Sequence, residues 1–378
     1  MKRPLTPFPT TGYFGPTYFC DRENELDQLI RNCSGGNSTT LIALRRLGKT
    51  ALIRHLFHHV NKDFVTIYLD ILATESLGDL LNKLSSAIAG IWTERSAPGQ
   101  KAWKMIRSLR PVISYDALSG APIVSVKSTP EESKKTIAEL LAFLEKQQRP
   151  VLVAIDEFQQ ILEYPEEHTD AWLRSLVQNL GNVNFIFSGS QQHIMRELFT
   201  DPGRPFYRST QFLKIGKIDP EIYANFIAGH FRRRSRPVDD QVIKDILKWA
   251  DGHTYYVQLL CNRIFLSKSR KITPSVWKEE ASRILKEQEF VFFGYREMLT
   301  KNQWSLLKAV ASEGPVYHPT NATFISTHAL GSSASVLRSL DALLRMELVY
   351  KEQDEKGKSY YGVYDILFSR WISGIRSV

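Results

Sequence analysis

Residues 41–56, LIALRRLGKTALIRHL, join an apolar run to a helix-forming run through Gly48, Lys49 and Thr50. A phosphate-binding loop has the pattern G-x-x-x-x-G-K-[ST], in which backbone amides surround phosphate oxygens. Gly48, Lys49 and Thr50 satisfy its second half, while Ala43 occupies the first glycine's position. A helix opening at Lys49 turns its unpaired N–H groups toward a bound phosphate. Lys49 then reaches the terminal phosphates, and Thr50 offers its hydroxyl to Mg2+. The candidate cofactor-binding residues here are Ala43, Arg45, Arg46, Leu47, Gly48, Lys49, Thr50 and Ala51. A positive φ at Ala43 would cost about 1 kcal/mol, small beside several charge-assisted phosphate contacts. At a strand's exit an ordinary L-residue φ also suffices.

The second half of the site lies a hundred residues on. VLVAIDEF, residues 151–158, is an apolar strand that ends abruptly in Asp156 and Glu157. Carboxylates at the C-terminal end of a parallel strand sit where α/β sheets bind ligands. Asp156 suits Mg2+, directly or through water, and Glu157 suits polarising an attacking water. The plainer alternative is an acidic pair capping the next helix. VNFIFSGS, residues 183–190, is the next strand, with Ser188 and Ser190 at its end. A hydroxyl there can sense a γ-phosphate or orient the water; it can equally be a turn residue.

Working outward, apolar strands and amphipathic helices alternate as far as residue 217. Strands are expected at TTLIAL (39–44), FVTIYLDI (64–71), PVLVAIDEF (150–158) and VNFIFSGS. Such strands are apolar on both faces, which predicts a parallel sheet covered by helices on each side. Asp21 is placed to cap a first helix bearing Leu26, Leu29 and Ile30. Residues 95–130 are irregular and basic and read as an insertion. The pattern is purely helical from about 218 to 290, then mixed. The expected organisation is an α/β domain over 1–217, a helical lid over 218–292 and a third domain over 293–378.

Composition narrows the function classes. At 43% hydrophobic and 24% charged residues, the 378-residue chain is ordinary for a globular protein of two or three domains. Its longest apolar runs are too short to span a bilayer, and no signal core follows the N-terminus. A cytoplasmic location is expected. Three scattered cysteines form neither a disulfide framework nor a metal pattern. The net charge of +9 is concentrated mid-chain: residues 204–236 hold eight Lys/Arg against two Asp/Glu. Residues 297–378 hold nine against eight.

These motifs, with their order, resemble the archaeal-type ATPases found in archaea and many bacteria. These are P-loop proteins of the STAND branch, related to AAA+ and origin-recognition ATPases. The matching stretches are FCDRENEL, RRLGKTALI, VLVAIDEFQQI, FIFSGS, PFYRS, DGHTYYVQLL and the tail from LTKNQWSLLKAV to YGVYDILFSRWI. The resemblance implies a P-loop α/β domain, a helical lid and a C-terminal winged helix. It implies that Lys49 and Thr50 bind the phosphates and Mg2+ of ATP. Asp156 would serve the metal, Glu157 hydrolysis, and Arg22 and Glu23 would lie near the adenine. Arg208 in PFYRS matches a phosphate-sensing arginine, though relatives tend to have Gly-Arg there. His253, in GHT at 252–254, stands where relatives have Gly-x-Pro and the lid meets nucleotide.

Two further stretches admit two readings each. FRRRSR puts Arg232, Arg233, Arg234 and Arg236 at a helix end. They suit either phosphate contact or a solvated end that complements the dipole. The tail orders helix, helix and hairpin, and the second helix is the one a winged helix offers to DNA. That helix is expected to bury Val336, Leu337, Leu340 and Leu344. Its exposed Asp341 and the wing's Glu352, Asp354 and Glu355 offset the nearby basic residues. A protein contact or lid restraint therefore stands beside DNA binding. The expected activity is a slow, Mg2+-dependent ATP hydrolysis that acts as a switch. The alternatives are an ATP-dependent DNA-binding protein and a nucleotide-bound scaffold with negligible turnover; self-association is compatible with each.

Overall fold

The computed structural model describes residues 4–92, 96–267, 269–354 and 356–375; Glu355 of the wing lies outside them. The chain forms two compact units. Arg22–Gly216 makes one, and Met1–Asp21 together with Lys217–Val378 makes the other.

The first unit runs α1 (Glu23–Ser34), β1 (Thr39–Ile42), α2 (Lys49–Val60), β2 (Val65–Asp70), α3 (Leu77–Ile91) and α4 (Ala97–Ser108). It continues through β3 (Val112–Tyr115), β4 (Pro122–Ser125), α5 (Pro130–Glu145), β5 (Val151–Asp156) and α6 (Thr169–Val177), then β6 (Val183–Gly189), α7 (Gln192–Thr200) and β7 (Gln211–Lys214). Five strands form one parallel sheet in the order β2-β5-β6-β1-β7. All residues of β1, β5 and β6 are buried, as a sheet covered on both faces requires. Phe158, Phe187, Phe199 and Phe206 pack ring to ring against it and are fully buried. Each such ring contributes about 1.5–3 kcal/mol. Asp70 is in register with Asp156, and Ile42 with Gly189. The chain leaves β1 toward β2 but leaves β6 toward β7, so these C-terminal strand ends flank the switch point where such sheets bind ligands.

Several expectations change. The insertion is ordered as α4 and an antiparallel β3–β4 hairpin, with Trp103 and Ile106 in the core. β7 arises from a segment read only as basic. Asp21 does not cap α1: it and Arg22 both take positive φ (60° and 81°), which leaves Arg22 as the capping residue.

On α2, the ring of His55 packs 4.4 Å from that of His59 and is 8% exposed. Burial, then the neighbouring His59 and His58, depress its pKa to about 4. The neutral form is native, so the unfolded chain binds the extra proton between about 6.5 and 4. Stability should fall as pH drops through that window and level off below it. His55→Gln should flatten this slope in urea melts between pH 7 and 4; an unchanged slope would assign it elsewhere.

The second unit contains α8 (Pro220–Arg232), α9 (Asp240–Trp249), α10 (Thr254–Leu266), α11 (Pro274–Met298) and α12 (Lys301–Glu313). It ends with α13 (Ala322–His328), α14 (Ser333–Arg345), the β8 (Val349–Gln353) and β9 (Ser359–Val363) hairpin, and α15 (Ile366–Ile375). One core runs through these helices and includes Phe8, whose ring lies 5.3 Å from Phe231. α14 buries Val336, Leu340 and Leu343, whereas Leu337 is half exposed. The inward stripe follows i, i+4, i+7, one step away from the expected set. Arg236 donates to the carbonyls of Ile264, Phe265 and Ser269, so it closes the end of α10; Arg232, Arg233 and Arg234 remain exposed. Among the described residues, no helix is long and apolar enough to cross a membrane.

Candidate functional site

The loop between β1 and α2 begins at Ala43, which is fully buried and has no positive φ. The left-handed positions are instead Arg46 (φ 63°) and Gly48 (φ 99°). Strain of about 1 kcal/mol thus falls on Arg46, and the first glycine is dispensable here because the backbone turns three residues later. Gly48 caps α2, whose first turn holds Lys49 and Thr50. Lys49 is 7% exposed, Thr50 is exposed, and Ala51 packs half-buried behind them.

Asp156 ends β5 and is 3% exposed. Its Oδ2 accepts from the Thr50 hydroxyl at 2.7 Å and from the Tyr68 hydroxyl at 2.7 Å. Its Oδ1 accepts from the Ser188 hydroxyl at 2.7 Å. Burial opposes the charge, but the Lys49 ammonium and these three hydroxyls outweigh it and hold the carboxyl below its usual range. Burial and the adjacent Asp156 charge in turn push the Tyr68 phenol up, so it stays a donor. Arg54 covers the outer face of that ring at 3.8 Å.

Glu157 follows in a left-handed conformation (φ 57°), and a short 3-10 helix, Phe158–Glu163, starts from it. Its Oε2 accepts from Gln159 Nε2 at 2.7 Å, from the Ser190 hydroxyl at 2.8 Å and from the Ser190 N–H at 3.2 Å. Two acids side by side in sequence are thereby held by different elements.

Ser188 is fully buried, and its hydroxyl donates to Asp156, which holds that carboxylate in place. Arg22 is also buried; it donates to the Gly216 carbonyl at 2.6 Å and to Glu25 at 2.8 Å. Because Ile215 N–H donates to the Ile42 carbonyl, this anchor stands at the loop's own edge of the sheet. Arg208 does not join Lys49. With Arg174, Asn37, Ser209 and Gln211 it lines a cleft of about 320 Å³ where β1, β6 and β7 begin. β7 runs parallel to β1, so a residue just before it lies at the opposite sheet edge, about 10 Å of strand away. His253 belongs to the other unit, where it caps α10 beside Tyr256.

Tyr68, Gln159 and the Glu157–Ser190 pairing were not legible as site features. Tyr68 carried no local signal, because only the β2–β5 pairing brings it to Asp156. The nearest available clue to Gln159 was its place two residues after Glu157.

This arrangement presents helix-start amides, an ammonium and two carboxylates at one sheet edge. A divalent cation would be held by Thr50 and Asp156. The hydroxyl spends its proton on a carboxylate kept ionised, leaving its lone pairs for a hard cation. Mg2+ is the ion that tolerates so few protein ligands, because water and phosphate oxygens complete its shell.

The family described as an ATPase domain predominantly from Archaea matches residues 19–260, and a probable winged helix domain matches 290–374. The Walker-type ATPase of Pyrococcus abyssi is 17% identical with a TM-score of 0.68, over 97% of this chain and 100% of its own. The Aeropyrum pernix ORC2 protein, solved in ADPNP-ADP complexes, is 13% identical with a TM-score of 0.58, over 98% of each chain. The ORC1 protein of the same organism, solved in complex with DNA, is 12% identical with a TM-score of 0.51, over 99% of this chain and 98% of its own. At these identities the likeness is one of fold. No curated protein matches the chain.

Proposed function

The chain belongs to the ATPase domain family predominantly from Archaea, and from that premise we propose that it binds ATP with Mg2+ at the Lys49 loop and hydrolyses it as a switch. The observation that supports this reading is the Thr50–Asp156 contact at 2.7 Å, which brings together two motifs 106 residues apart, as a metal-and-phosphate site would require. In it, the amides opening α2 and the Lys49 ammonium bind the β- and γ-phosphates. Thr50 and Asp156 hold the metal, which when bound supplies charge neutralisation on the transferring phosphoryl group. Glu157 orients and deprotonates the attacking water. Tyr68 and Ser188 keep Asp156 aimed. Arg22 braces the loop's edge through Gly216. Hydrolysis removes the γ-phosphate, and the change in what this edge holds is the switch. Phosphate release by wild type against Glu157→Gln tests the reading.

A second reading, DNA binding, is favoured by the exposed Arg232–Arg234 run and by the winged helix domain. The ORC1 structure with DNA is consistent with it. The exposed face of α14 carries Arg338 and Arg345 but also Asp341, so the arginine run is the stronger footprint. Duplex DNA affinity should fall steeply with salt. Replacing Arg232, Arg233 and Arg234 by alanine should reduce the log–log slope by roughly 2–3. No binding at low salt would remove this reading.

A further inference from the structure

We propose that Gln159 is a positioning residue for hydrolysis, fixing the plane of the Glu157 carboxylate so that its second oxygen faces the attacking water. The inference rests on the ATPase reading above.

Three observations converge on this side chain. Gln159 is 6% exposed and donates from Nε2 to Glu157 Oε2 at 2.7 Å. Both Ser190 donors reach the same oxygen from a single residue, so they anchor it from one side only. Gln159 approaches from a different element, and two anchors in different directions remove the carboxylate's remaining rotation. Glu157 Oε1 is left with lone pairs to direct outward.

The amide cannot be turned over, because its oxygen would then face an ionised carboxylate. Its Oε1 is therefore committed to the other side, where it is buried and has no hydrogen-bond partner among the described residues. Leaving a buried carbonyl unpaired is costly, and such groups call for an explanation. Here the compensation is the charge-assisted bond to Glu157.

Gly189 shows that the chain makes room for this side chain. A Cβ there would lie 2.4 Å from Gln159 Oε1 and 2.6 Å from Met195. Gly189 has no positive φ, so its lack of a side chain answers to space and not to backbone conformation. The left-handed turn at Glu157 completes the device, because it brings the residue two positions on back over the carboxylate.

The experiment measures steady-state phosphate release, ATP-analogue affinity and thermal stability for wild type, Glu157→Gln, Gln159→Ala, Gly189→Ala and the Gln159→Ala/Gly189→Ala double variant. Gln159→Ala should lower kcat tenfold or more with analogue affinity changed less than twofold. Gly189→Ala should do the same, and the double variant should be no worse than either single one. A merely structural role would lower analogue affinity and thermal stability along with kcat, so the loss of kcat at unchanged affinity is the discriminating readout. Wild-type kcat in Gln159→Ala, or a loss of kcat matched by an equal loss of analogue affinity, overturns the proposal while leaving the ATPase reading intact. Absence of turnover in wild type, or undiminished turnover in Glu157→Gln, overturns the reading and the proposal together.

Discussion

Lys49→Ala is expected to weaken ATP-analogue binding by roughly 30- to 150-fold, the equivalent of about 2–3 kcal/mol for a charge-assisted contact. The lysine is almost wholly buried in the first turn of α2, and its charge helps keep Asp156 ionised. Removing it therefore acts twice: the phosphates lose an ammonium, and Asp156 loses the charge that offsets its burial. The Asp156 pKa should rise in the variant, which weakens the metal site as well. Titration of a fluorescent ATP analogue with Mg2+ gives the affinity directly. Thermal melts supply the control, because ligand raises the Tm of a protein that binds it only when folded. Wild type should show that rise, and the variant should lose it at the same ligand concentration. Equal affinity in wild type and Lys49→Ala would mean that the loop is not the nucleotide site.

The second large effect is at Glu157. Glu157→Gln should lower kcat for phosphate release by roughly 10²–10⁴-fold, the usual contribution of a general base. Analogue affinity should stay within about twofold. The substitution keeps the shape of the side chain, and the amide oxygen can still accept from Ser190 and Gln159. What it removes is the capacity to take a proton from water. Negligible turnover that is equal in both proteins would favour a nucleotide-bound scaffold in which Glu157 serves only to hold β5 and β6 together.

The motif-bearing elements were legible because their signals are local. A run of apolar residues broken by Gly-Lys-Thr is enough to predict β1, the loop and α2, and α2 does open at Lys49. The abrupt change from Ala154-Ile155 to Asp156-Glu157 likewise marks the end of a buried strand. The β3–β4 hairpin was not legible because most of its residues are exposed, so no apolar periodicity reports it. β7 was hidden for a related reason: only Leu213 of its four residues is buried.

The amino-acid sequence by itself determined the class of fold, the loop, and the acidic pair, because each depends on residues adjacent along the chain. Only the tertiary structure decided how those pieces act on one another. The strand order β2-β5-β6-β1-β7 brings Tyr68 and Ser188 to Asp156 and Ser190 to Glu157. The direction of β7 carries Arg208 to the far edge of the sheet. Register and strand order are set by packing between segments remote in sequence, and no local pattern of residues encodes them.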